Sequence, residues 1–235
     1  MHKNQSMKRI EALSPHDRYE MAKERTQRLV DDVVSHDLTH ESNQMVNYSD
    51  VLSEQIPRSY AGHAFHDFQR ALLHYKVFRT CAFWDDVDMD GYSLRTVAAL
   101  ACPGDVGPFV FVRGYNQYGK RYPQWAARDA KRSLARLRFT IRRIRVISES
   151  ARLQRFRNYR DKLAHPLLQT RAEKAGTVSP AQHGDEKWLL EETRKAVHGF
   201  HMSLNGTGFD WAGQRQISQK YAKALWGGVK IAVLE

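Results

Sequence analysis

The segment RNYRDKLAHP, residues 157–166, holds the residues whose types and order come nearest to catalytic equipment. Arg160 is a permanent cation, able to grip a phosphate and to stabilise charge on a phosphorane. His165 is the side-chain type that both takes and gives a proton near neutral pH. Asp161, next to the arginine, is placed to orient either one. Such a set supplies what RNA cleavage without a metal requires: a base for the 2′-OH, a cation for the transition state and an acid for the leaving 5′-oxygen. In an unbroken helix a five-residue separation sets side chains about 140° apart, which is poor for a shared site. Pro166 changes this. It lacks an N–H and disfavours helical backbone at His165, so the helix ends there. The imidazole is then free to swing toward the guanidinium, or both groups project into a cleft at the helix end. An Arg and a His near a helix C-terminus also suit the macrodipole with no catalysis at all, and spacing alone leaves both readings open.

The element carrying this segment is strongly basic. Between Lys120 and Lys162 stand fifteen Lys and Arg against three acids, a net +12. The chain total is +11, so the rest of the protein nets −1. Leu134, Leu137, Ile141 and Ile144 recur at helical spacing and fall within about 80° of arc. Arg136, Arg138, Arg142, Arg143 and Arg145 all lie outside that arc. A long helix over 123–164 is therefore predicted, aliphatic inward and cationic outward. Beyond Ser148 the apolar set shifts to Leu153, Phe156 and Leu163, so a break near Ser148-Glu149-Ser150 is expected. Helices that are only soluble usually interleave acids at i,i+4, and this one hardly does. Twelve of the fifteen cations are Arg, whose planar fork suits phosphate. Arg136, Arg142 and Arg143 are candidate RNA-backbone contacts, with Arg157 and Lys162 nearer the proposed chemistry. An acidic protein partner would satisfy the same face, and a plain solvated helix is the third reading.

Elsewhere the pattern is mostly helical. Residues 17–35 carry a partial stripe, and 36–58, rich in polar residues, are expected to be a loop or a short helix. Ser59–Trp84 is predicted as a helix capped by Ser59, with Phe65, Phe68, Leu72, Tyr75 and Phe78 on one face. Ser93 caps a short helix to Leu100. The stretch FVFVRGYNQYG, between prolines 103 and 123, alternates enough to permit a small hairpin. Asp185–Leu204 is a further helix stopped at Asn205-Gly206, and Gln214–Leu234 a last one. The expected fold class is all-α, about five or six helices, with residues 1–58 as an N-terminal extension and 59–235 as the main domain.

RDKLAHP resembles the R-x4–6-H signature of the HEPN superfamily. A helix leading through RNYRDKLAH, a polar spacer, then GDEKWLLEETRKAV and LNGTGFDW resemble the Abi-U branch of abortive-infection HEPN proteins over roughly residues 60–225. That resemblance implies an all-α fold and a metal-independent endoribonuclease of a defence or toxin–antitoxin system, with no cofactor. It implies a homodimer in which Arg160, Asp161 and His165 of two copies face one another in a composite site, and a cognate antitoxin or regulator. Some members carry, two residues after the His, a Tyr that a nucleotidyltransferase modifies; here that residue is Leu167. Many members bind without catalysing, so a non-catalytic module for nucleic acid or an acidic partner is the alternative.

Composition bounds the rest. The 235 residues are 42% hydrophobic, enough for a real core. No apolar run approaches a membrane span, the start MHKNQSMKRI lacks a signal-peptide core, and two cysteines make no disulfide framework, so a cytoplasmic protein is expected. Asp86-x-Asp88-x-Asp90-Gly91 imitates the start of a calcium loop, but Val97 stands where the bidentate Glu belongs. His63, His66 and His74 share a helix without a metal-ligand pattern, and no metal is expected.

Overall fold

The computed structural model describes residues 2–56, 60–119, 121–176, 180–182 and 184–230. Ser59, Lys120 and the last five residues, all part of the expectations above, lie outside them. The described residues are helical without a strand: α1 (His2–Glu11), α2 (Pro15–Tyr48), α3 (Asp50–Gln55), α4 (Tyr60–Ala82), α5 (Leu94–Leu100), α6 (Pro103–Tyr118), α7 (Pro123–Ser148), α8 (Ala151–Ala164), α9 (Arg171–Lys174), α10 (Asp185–Phe200), a π-helical turn (His201–Asn205) and α11 (Trp211–Trp226). The chain forms two compact units, one of residues 1–31 with 80–209, the other of 32–79 with 210–235.

The first unit is built around α7. Its buried seam is Ala126, Ala130, Ser133, Leu137, Thr140, Ile144 and Ile147, spaced alternately four and three. Leu134 and Ile141, expected inward, sit at the edge of that seam and are only partly covered. The small residues in the seam let neighbours come close. A Cβ added at Gly114 of α6 would lie 2.9 Å from the Ala130 Cα, so α6 approaches α7 backbone to backbone. Gly199 of α10 is likewise pressed onto Thr140. Trp84 is fully buried, and its indole N–H donates to Thr193 Oγ1 at 2.9 Å, which donates in turn to the Leu189 carbonyl. The π-turn leaves carbonyls off the regular ladder. Arg113 donates to two of them, Met202 and Ser203, and Tyr19 Oη donates to Leu204 O at 3.1 Å. Gly206, at φ +84°, then ends the segment.

Several expectations need correction. FVFVRGYNQYG is not a hairpin but the body of α6. Pro103 starts that helix at a position where its missing N–H costs nothing, and Val106 and Val110, four apart, are fully buried. The alternation was coincidental to a helical stripe. The polar residues 36–48 continue α2 rather than forming a loop. No Gly or Pro interrupts them, and His36, Asp37, His40 and Asn43 are buried on one helical face. The N-terminal residues also form a helix, anchored by fully buried Ile10. The helices therefore outnumber the five or six expected. The break at Ser148-Glu149-Ser150 and the end at His165 are as predicted.

In the second unit, Lys76 Nζ donates to Asn43 Oδ1 at 3.1 Å and Arg79 pairs with Asp32 at 2.9 Å. The aromatic stripe of α4 is not its buried face: Phe68, Tyr75 and Phe78 stay exposed, as do Ile217, Tyr221 and Leu225 of α11. No single described helix is long and apolar enough to cross a membrane.

Candidate active site and basic surface

Helix α8 positions the predicted catalytic residues. Ser150 starts it, its Oγ accepting from Leu153 N at 3.2 Å and donating to Ile147 O at 2.7 Å, which fixes the turn from α7. Leu153 and Phe156 are buried and hold the helix to the core. Its last turn brings Arg160 to the wall of a cleft of about 480 Å³ lined also by Ser6, Asp85, Asp86, Asp88 and Arg157.

Arg160 is held from two sides. Its Nε and Nη2 donate to Asp161 Oδ1 at 2.9 and 2.8 Å, and its Nη1 donates to Asp85 Oδ1 at 2.9 Å. Asp161 thus fixes one edge of the guanidinium and leaves Nη1 toward the cleft. Burial works against the Arg160 charge, but hydrogen bonding to Asp161 and the charges of Asp161 and Asp85 outweigh it and raise its pKa. Asp85 comes from the loop after α4. Arg157 pins that loop by donating to the Trp84 carbonyl, and Leu94 N closes it onto Phe83 O at 2.8 Å. Burial, with Arg95 nearby, lowers the Arg157 pKa, as expected of a cation serving structure. Beneath the site, burial pushes the Cys81 thiol up to about 12, which makes it inert.

His165 is the C-cap of α8. Its backbone leaves the helix at φ −136° and ψ 67° while its N–H still donates to Asp161 O at 2.9 Å. The imidazole is exposed and has no side-chain hydrogen bond among the described residues, so none joins it to Arg160 within one chain. After it, Leu167 is 96% and Leu168 62% exposed, an apolar pair in water beside the proposed chemistry.

The basic segment divides sharply into two uses. On α8 every cation has an internal partner. Arg152 and Arg155 share buried Asp185, at 2.6 and 3.4 Å, and Arg152 also lies over the Trp188 ring. Arg157 and Arg160 are engaged as above, and Lys162 bonds Glu173 and the Leu168 carbonyl, each at 3.0 Å. On α7 the opposite holds. Arg143 pairs with buried Glu192, but Arg128, Lys131, Arg132, Arg136, Arg138, Arg142 and Arg145 carry no ion pair among the described residues. Of the predicted RNA-contact residues, Arg142 is thus exposed and unpaired. Arg136 and Arg143 line a smaller cleft of about 250 Å³ with Lys195 and His198. Arg157 and Lys162 belong to the frame of α8.

The acidic loop that imitates a calcium site is laced to arginines instead. Asp90 takes both Nη groups of Arg9, at 2.9 and 3.1 Å, and Asp86 pairs with Arg95. Asp85 was not singled out by sequence. It stands 75 residues from Arg160, and nothing local marks it as a partner.

No curated protein matches the chain, and no solved structure matches it. The family model HEPN_AbiU2, described as AbiU2, matches residues 23–225, beginning well before the segments near residue 60 that carried the resemblance. That match spans most of the sequence, including the all-helical first unit from Lys23 on and the Arg160–His165 segment. The chain therefore belongs to the HEPN_AbiU2 family, an abortive-infection branch of the HEPN superfamily.

Proposed function

We propose that this HEPN protein is a metal-independent endoribonuclease acting as a homodimer in a cytoplasmic defence or toxin–antitoxin system. The observation that carries the reading is the geometry of α8. An oriented guanidinium stands at a cleft wall, and an exposed imidazole with no side-chain hydrogen bond among the described residues stands at the end of the same helix. His165 takes the proton from the 2′-OH, whose oxygen attacks the adjacent phosphorus. Arg160 steadies the charge on the phosphorane, using the Nη1 edge that Asp161 leaves toward the cleft. A protonated His165, from the second copy, gives a proton to the departing 5′-oxygen. The products are a 2′,3′-cyclic phosphate and a 5′-hydroxyl end. Phosphate has to displace Asp85 from Arg160. The Asp85 side chain is 52% exposed, and such pairs contribute only about 0–1 kcal/mol, so the exchange costs little. The exposed Leu167-Leu168 pair beside His165 supports a second copy covering this end of α8.

An RNA oligonucleotide cut by the protein tests the mechanism. A single 2′-deoxy substitution at the cut position is expected to abolish cleavage there. Cleavage that continues at the deoxy position would sink the 2′-OH mechanism. The second reading, a non-catalytic HEPN module, is favoured by the two carboxylates already on Arg160. It requires that Arg160→Ala and His165→Ala leave binding intact while neutralising Arg136, Arg142 and Arg143 removes it.

A further inference from the structure

The outward face of α7 has its own pattern. Trp125, Arg128, Arg132, Phe139, Arg142 and Val146, with Ala135 between, recur at alternating spacings of three and four, within about 100° of arc opposite the buried seam. All are exposed; Trp125 is 64%, Phe139 60% and Val146 64% accessible. No acid interrupts the row, and none of its three arginines has an ion pair among the described residues. Trp125 and Phe139 are about 21 Å apart along the helix. The smaller cleft with Arg136, Arg143 and Lys195 opens beside Phe139.

Large apolar rings left in water beside unpaired guanidinium groups need a partner offering both flat apolar faces and negative charge. A second copy of this helix fits poorly, because an antiparallel two-fold pairing about Ala135 sets Arg128 against the partner's Arg142. A duplex offers phosphates but keeps its bases stacked inside. A single strand offers both: any base stacks on an aromatic ring, and the phosphates meet arginine. We propose that this face of α7 is the binding track for single-stranded RNA, with bases stacked on Trp125 and Phe139 and phosphates held by Arg128, Arg132 and Arg142. The choice of RNA as the polymer rests on the ribonuclease reading; the preference for a single strand rests on α7 alone.

The test is fluorescence anisotropy of the full chain carrying His165→Ala, with a labelled uridine-rich 20-mer and an RNA duplex of equal length, over a range of salt. Tighter binding to the single strand is expected. Trp125→Ala and Phe139→Ala should each weaken it by about tenfold, while Trp125→Phe and Phe139→Trp should retain it. Arg128→Gln, Arg132→Gln and Arg142→Gln together should reduce the slope of log K against log salt by about 2. Binding unchanged by the aromatic deletions, equal affinity for the duplex, or equal affinity for polyglutamate would overturn the proposal. Cleavage in EDTA separates the two readings. Loss of binding in the α7 variants, with equal cleavage by wild type and His165→Ala, supports the track and sinks the His165 mechanism. Unchanged binding in those variants, with cleavage lost in His165→Ala, sinks the track alone.

Discussion

Arg160 is a cation under tension between two roles, since the carboxylates that orient it also occupy it. Asp161 bonds the Nε–Nη2 edge and Asp85 the Nη1 end. This division requires a planar fork. A lysine carries the charge but lacks the rigid edge whose two donors converge on one carboxylate oxygen while a third donor points elsewhere. Arg160→Lys is therefore expected to lower RNA cleavage at least about tenfold at unchanged thermal stability, and near-wild-type cleavage would show that charge alone suffices. The end of this helix was legible in the sequence because Pro166 dictates where it stops, whereas the residues alone left open whether Asp161 serves Arg160 or His165. Asp85 was not legible. Its contact depends on a loop held by the Arg157–Trp84 bond, a tertiary event with no local signal.

Among the elements, α7 is the one on which the others are assembled, and its small seam residues make it so. Alanine normally favours a helix over glycine by about 1 kcal/mol. At Gly114 the Ala130 backbone stands in the way, so Gly114→Ala is expected to destabilise by about 1–3 kcal/mol in chemical denaturation. A stabilising Gly114→Ala would mean that α6 and α7 are not so close. The junction of α8 and α10 hangs on Asp185. Burial alone would raise its pKa, but the Gln182 N–H, Arg152 and Arg155 lower it. A carboxylate with a depressed folded pKa contributes stability that is full above its unfolded value near 4. That contribution is lost as pH falls through the lower folded value. Asp185→Asn is expected to cost about 2 kcal/mol at pH 7, and its deficit against wild type should shrink below about pH 4. A deficit independent of pH would assign Asp185 a packing role only. Periodicity found α5, α7, α8 and α10, and in α5 and α8 the serine caps Ser93 and Ser150 agree with the apolar stripe. It missed the continuation of α2, where buried His36, Asp37 and Asn43 imitate a loop composition, and it mistook α6, whose valines satisfy both periods.

For the whole molecule, the net charge of +11 is carried by residues 120–162. The cations of α8 are spent on the fold, while those of α7 other than Arg143 carry no ion pair among the described residues, and this separates the frame of the proposed site from the surface proposed to bind RNA. Sequence could count the charges and place them on two helical segments. It could not tell which had partners, because Asp185 and Asp85 arrive from distant parts of the chain and Glu173 from beyond the end of α8. Family membership supplies the abortive-infection setting, and the proposed chemistry stands on Arg160 and His165. The most direct measurement is purified wild-type protein incubated with total RNA in EDTA beside His165→Ala. Cleavage by wild type, reduced at least about 100-fold in the variant, is the expected result. Equal cleavage by both proteins, or cleavage that EDTA abolishes, would contradict it.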